Sequence, residues 1–145
     1  LYDASVAGVP VEIIVRGMCA LRPGVPGLSD NIKVRSILGR FLEHSRVFHF
    51  VSGGADRYFI GSADVMHCNL DRRVEALVEI RDPAVSMALG NVLSLATDPA
   101  TSAWTLDRDG AWHREVCTPD GTPLRDYQQT LLLAAADRLT STAGS

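Results

Sequence analysis

Residues 9–15 read Val-Pro-Val-Glu-Ile-Ile-Val, a β-branched apolar run with one charge. Such a run predicts a buried strand, with Pro10 at its start, where a missing N–H is tolerated. Before it, residues 2–8 read as the end of a helix stopped by Gly8. Arg16-Gly17 ends the strand. Leu21–Ser29 (LRPGVPGLS) then carries two Pro-Gly turn signals and no apolar period. Ile32, Val34 and Ser36 alternate with Lys33, Arg35 and Ile37, which predicts a short strand. Gly39–Glu43 predicts one helical turn. Val47–Val51 (VFHFV) predicts a strong strand, Ser52–Asp56 a hairpin loop, and Tyr58–Ile60 the returning strand, ending at Gly61-Ser62-Ala63-Asp64. Arg73–Ile80 alternates again and predicts a strand with one wetter face. Asp82-Pro83 opens a helix, with Asp as N-cap and Pro in the first position. Its apolar residues Val85, Leu89, Val92, Leu93 and Leu95 fall on one side, and it ends near Thr97. Trp104 and Trp112 flank Asp109-Gly110, a two-residue hairpin signal. Residues 123–139 predict a last amphipathic helix. The order of helix, several strands, helix, hairpin and helix, without an internal repeat, predicts a mixed α/β fold.

The length of 145 residues suits one compact domain over residues 1–139, followed by a flexible polar tail at 140–145. With 46% hydrophobic and 21% charged residues, disorder and collagen-like repeats are excluded. No apolar run approaches the ~20 residues of a membrane span. The first residues, Leu1-Tyr2-Asp3-Ala4-Ser5, lack the basic and apolar regions of a secretory signal and open inside a helix without an initiator Met. The chain therefore reads as a fragment of a longer one. Cys19, Cys68 and Cys117 are odd in number and far apart, so they give neither a disulfide framework nor a zinc signature. A reducing cytoplasm is the simplest home.

The net charge of −3 argues against a general nucleic-acid binder, but the charge is unevenly placed. Nine basic residues stand against five acidic ones between Arg16 and Arg73, an excess of +4, which leaves −7 elsewhere. Thirteen of the fourteen basic residues are Arg, whose planar fork grips phosphate oxygens in pairs. Abundant Arg alone is a compositional habit; its clustering favours a local anion site. The common nucleotide-binding loops and the nucleophile elbow are absent. Four features remain. Arg16 follows a strand, and ligand sites in open α/β sheets lie beyond such ends; a surface Arg capping the strand is an equal alternative. Glu43-His44-Ser45-Arg46 places a proton-transferring His beside a base, although most single histidines are structural. Gly61-Ser62-Ala63-Asp64 would let a phosphate approach the backbone, or is merely a tight turn. Asn69-Leu70-Asp71-Arg72-Arg73 leads into a strand, or is a solvated loop. His49 alternates inside a strand and reads as structural; His67 and His113 show no partner. An H-x-R followed by G-S-x-D is a loose form of the phospholipase D pattern, H-x-K followed by G-S-x-N.

Several stretches together are specific. They are Ile14–Cys19 (IVRGMC), Leu21–Ile32 (LRPGVPGLSDNI), Arg40–Arg46 (RFLEHSR), Gly61–Asp64 (GSAD) and Asn69–Glu75 (NLDRRVE), with Asp98-Pro99, Trp104 and Asp109–Trp112 following. In that order they resemble the last catalytic domain of bacterial polyphosphate kinase, first family, in its actinobacterial branch. The resemblance implies a phospholipase D-like mixed sheet flanked by helices. It implies reversible transfer of the ATP terminal phosphate to inorganic polyphosphate, with magnesium held mostly by residues outside this sequence. The phosphorylated histidine lies in a preceding domain, so this chain alone is expected to be inactive. By position, His44 corresponds to the family's second histidine, a proton donor or phosphate partner. Arg16 and Arg73 correspond to arginines at the phosphates, and Arg46 is a further phosphate contact. The partners implied are ATP or ADP and polyphosphate, with no nucleic acid. For the full-length enzyme they include self-association and contact with the membrane. Cys68 stands where the family has Arg, and Val65 where many members have Trp. Two other classes stay open: a phosphodiesterase or nuclease of the phospholipase D superfamily, and a non-catalytic polyanion-binding module. The Arg in place of Lys argues against the former.

Overall fold

The structure is a computed structural model that describes residues 1–62, 64 and 74–142. In chain order its elements are α1 (Tyr2–Val6), β1 (Val11–Val15), β2 (Ile32–Ser36), β3 (Val47–Ser52), β4 (Ala55–Gly61), β5 (Leu77–Ile80), α2 (Pro83–Thr97), β6 (Ala103–Leu106), β7 (Trp112–Glu115) and α3 (Tyr127–Thr142). The expected order of helices and strands is present, but the strands form two sheets where one was expected. They are divided between two compact units, Leu1–Leu42 with Leu95–Ser145, and Glu43–Ser94.

The first unit holds a four-stranded sheet in the order β1-β2-β6-β7. Parallel pairing runs from Val11↔Ile32 to Val15↔Ser36, and the remaining pairs are antiparallel. β1 is an edge strand, so its side chains alternate between half-buried and exposed where a buried strand was expected. β2 is central and carries the core. Ile32 and Val34 are 2% exposed, and Ile37, Ala96, Ala103 and Tyr127 complete the cluster. On the other face of β2, Arg35 donates to the carbonyls of Ala96, Asp98 and Thr101 at 3.2, 2.9 and 2.8 Å. These are the last carbonyls of α2 and the turn behind it, where a cation is favoured.

Three local expectations fail in this unit, each for a backbone hydrogen-bonding reason. Residues 39–42, expected to open a helical turn, are a bend. The buried Gln128 amide accepts from the Phe41 N–H at 2.8 Å and donates to its carbonyl at 2.7 Å, replacing the helical partners. Gly39 makes room for that amide, which a Cβ would strike. The β6–β7 connection spans residues 107–111 and is longer than two residues, because the Asp107 carboxylate accepts from the N–H groups of Asp109 and Ala111. Finally, α3 starts at Tyr127. Residues 123–125 are held extended by bridges Cys117↔Pro123 and Thr101↔Arg125, and Asp126 caps the helix at the Gln129 N–H. α3 runs to Thr142, through part of the expected tail.

The second unit holds a three-stranded antiparallel sheet, β3-β4-β5. Ladder pairs run from Val47↔Ile60 to Ser52↔Ala55 around Gly53-Gly54, at φ +60° and +79°. Two successive positive φ values suit the twist of a hairpin and are open to glycine at little cost. β5 is confined to Leu77–Ile80, shorter than expected. Asp82 caps α2 by accepting from the N–H groups of Ala84 and Val85 at 2.9 and 3.0 Å, as the sequence predicts. Gly90 of α2 meets the Tyr58 hydroxyl so closely that a Cβ would lie 2.9 Å from it. Val85, placed on the apolar side by the sequence, is exposed. No described residue of this unit is fully buried.

Candidate phosphate-handling site

The β3–β4 hairpin makes neighbours of two segments far apart in sequence. Beyond the first ladder pair, the Gly61 N–H donates to the Arg46 carbonyl at 3.2 Å, and the Ser62 N–H to the Ala76 carbonyl at 3.1 Å. The H-x-R segment, His44–Arg46, thus lies beside Gly61, where β4 ends. A Cβ on Gly61 would strike the Ala76 carbonyl, so the close approach of this third segment requires glycine.

Side chains fasten the three segments. Arg46 grips Asp64 with two parallel hydrogen bonds, Nε to Oδ1 and Nη2 to Oδ2, each 2.9 Å. Its remaining nitrogen, Nη1, donates to the His44 carbonyl at 2.9 Å. The hydrogen bond to Asp64 raises the Arg46 pKa above its ordinary value, burial opposes it, and the charges of Asp64 and Glu75 add to the rise. The Ser62 hydroxyl donates to Glu75 at 2.5 Å and accepts from the Ala76 N–H at 3.1 Å. An open groove of about 500 Å³ runs beside them, lined by Ser45, Arg46, Val47, Ile60, Ser62 and Val78 among others.

Of the four site residues expected from sequence, the structure brings His44 and Arg46 together in the second unit. His44 is exposed. Arg16 is exposed on the first unit, one residue past the point where β1 and β2 end in parallel register at Val15↔Ser36. Arg73 lies outside the described residues, as do Val65, His67 and Cys68. Sequence reasoning missed the partner of Arg46. Asp64 was in view only as part of a small turn, yet the Gly-Gly hairpin signal already placed that turn opposite Arg46. It also missed a partner for His113, whose Nε2 lies 2.6 Å from Asp107 Oδ2. That hydrogen bond, followed by the Ala111 N–H, holds the Asp107 carboxyl below the usual carboxylate range. His49 pairs with Asp56 at 2.7 Å and stacks on Tyr58, in keeping with a structural role.

Among the described residues, no group of three or more His, Cys, Asp or Glu side chains could hold a metal ion. Cys19 and Cys117 are free thiols. No helix among the described residues is long and apolar enough to cross a membrane.

Three helices and two sheets, with an H-x-R segment tied through Arg46 and Asp64 to the G-S-x-D residues at the end of β4, define a phospholipase D-like α/β chain. The model of the family described as "Polyphosphate kinase C-terminal domain 2" matches residues 1–125, and the chain belongs to that family. It is 57% identical over 137 residues to "Polyphosphate kinase" of Streptomyces coelicolor, covering 94% of this chain and 18% of the relative. It is 54% identical over 132 residues to the protein of that name from Mycolicibacterium gilvum, covering 91% and 18%. The fold matches the crystal structure of polyphosphate kinase from Porphyromonas gingivalis with a TM-score of 0.86 and 33% identity, over 97% of this chain and 21% of that one. The chain thus spans about a fifth of the length of these relatives.

Proposed function

We propose that this chain supplies one side of a phosphoryl-transfer site. There the terminal phosphate of ATP passes reversibly to inorganic polyphosphate, by way of a phosphohistidine in a domain outside this sequence. The observation that carries the reading is the H-x-R segment set beside the G-S-x-D turn in a chain of the polyphosphate kinase family. Phosphoryl transfer needs alignment and charge neutralisation more than it needs a strong base. In this reading His44 holds or delivers a proton, or contacts the moving phosphoryl group. Arg16 and Arg73 neutralise phosphate oxygens. Arg46 also faces this site, although its guanidinium is engaged by Asp64 and the His44 carbonyl. Magnesium would enter with the nucleotide or on residues outside this sequence. A cytoplasmic setting, self-association and membrane contact belong to the same reading of the full-length enzyme.

The test uses the full-length natural protein. His44→Ala should lower ATP formation from ADP and polyphosphate by about 100-fold or more, in the range of a lost acid–base or phosphate-stabilising group. Unchanged ATP formation would overturn the reading. Cleavage of a generic phosphodiester by the same protein would favour a phosphodiesterase instead. Loss of turnover in His44→Ala with polyphosphate binding retained would rule out a purely binding module.

A further inference from the structure

In the phospholipase D pattern the base two residues after the histidine is a lysine, a compact point charge suited to phosphate. Here the position is Arg46, and its geometry is that of a clamp. Two parallel hydrogen bonds of 2.9 Å join it to Asp64, and a third of 2.9 Å holds the His44 carbonyl. The side chain is 24% exposed, so the pair is partly sheltered from water. A guanidinium already facing a carboxylate has its charge answered, and its Nε and Nη2 donors are taken by Asp64. Only a planar fork makes this set of contacts at once: a lysine at 46 would keep the charge and lose the geometry.

We infer that Arg46 and Asp64 are a positioning pair, which fixes the backbone of His44 against Gly61 at the end of β4, and that neither is a phosphate ligand. The inference rests on the proposed function only in taking His44 as the residue positioned. The sequence reading of Arg46 as a phosphate contact is its direct competitor. The two differ in what lysine should do. A phosphate contact tolerates lysine, whereas a clamp does not. They differ also in Asp64: a phosphate-binding Arg46 would be improved by removing the competing carboxylate, and a clamp would be broken.

The experiment compares Arg46→Lys, Asp64→Asn and the double variant with the parent in the full-length natural protein. It measures kcat and KM for ADP and polyphosphate. Amide hydrogen exchange in the 58–62 segment is followed in parallel. A positioning pair should lower kcat tenfold or more in each single variant, with KM for either substrate changed less than about threefold. The double variant should be no worse than the poorer single one. Exchange at Gly61, whose N–H is bonded to the Arg46 carbonyl, should rise in Asp64→Asn. Parent-like kcat in Arg46→Lys would overturn the inference. So would a tenfold rise in KM in Arg46→Lys beside a silent or improved Asp64→Asn, or losses that simply multiply in the double variant. If His44→Ala proves fully active, the functional reading fails. The exchange measurement still decides the clamp, since unchanged exchange in Asp64→Asn would overturn it without reference to turnover.

Discussion

A single side chain can settle the course of the backbone around it, and Gln128 does so here. It is 6% exposed, and its amide serves both the N–H and the carbonyl of Phe41. Gln128→Ala would remove both hydrogen bonds; Phe41 is half exposed, so water answers part of the loss and about 1 kcal/mol per bond is expected. Gly39→Ala should destabilise by a similar route, by about 1–3 kcal/mol, because its Cβ would meet that amide. Thermal unfolding of the two variants and their combination checks the shared cause: the losses should not add. Nothing in the sequence near Phe41 shows this. The segment's sequence favours a helical turn, because only local propensity is visible there. The deciding group lies 87 positions away. His113 illustrates the same limit at short range, since its Asp107 partner becomes visible only once the connection is known to run over five residues. By contrast Asp82, a cap that acts on its immediate neighbours, was legible in full.

Among the elements, the β3–β4 hairpin was the best foretold, and it positions the candidate site. Its Gly-Gly turn is a local signal, and the strands on either side are strong β formers. β5 was foretold too long because alternation cannot tell a paired residue from an extended unpaired one. β1 was foretold as buried because a β-branched run looks alike on a central and an edge strand. The hairpin reading carries its own test. Gly53→Asn should be nearly neutral, since Asn tolerates positive φ, whereas Gly53→Val should cost about 1–2 kcal/mol. Amide exchange across β3 and β4 would report the difference. Equal protection in both variants would show that the turn does not set the stability of this ladder.

Over the whole molecule, the uneven charge takes a more exact form. The +4 excess falls entirely between residues 16 and 42, within the first unit, while residues 43–73 are balanced. Part of the excess has a structural duty: Lys33 pairs with Glu12 at 3.7 Å, and Arg35 caps the end of α2. Arg16, Arg22 and Arg40 are exposed, as is Lys33. In the full-length protein, Arg16→Ala and Arg22→Ala together should weaken polyphosphate binding and flatten its salt dependence, as calorimetry at two salt concentrations would show. Arg57→Ala, which breaks an ion pair with Glu79, should leave that dependence as it was. The acidic side of the balance bears on stability. Asp98 is held below the usual carboxylate range first by the Ala100 N–H and then by Arg125, and Glu79 by Arg57. Groups with lowered folded pKa values stabilise above their unfolded values, and this stability is lost as pH falls through the folded ones. Denaturant midpoints should therefore drop as pH falls through and below the ordinary carboxylate range, and less steeply in Asp98→Asn.

The hairpin also governs how this sequence can change over evolutionary time. Arg46 and Asp64 meet because they flank the base of one antiparallel ladder, Arg46 one residue before β3 and Asp64 three residues after β4. A single inserted residue within β3 would slip the register and turn alternate side chains to the wrong face. Two inserted residues, one in each strand, would lengthen the hairpin at its tip and leave its base untouched. The interval between the H-x-R and G-S-x-D segments is therefore free to drift by paired steps, while their contact is held fixed. A motif search that demands one spacing will overlook such chains; a search that lets the interval vary by twos, with a turn signal midway, will find them.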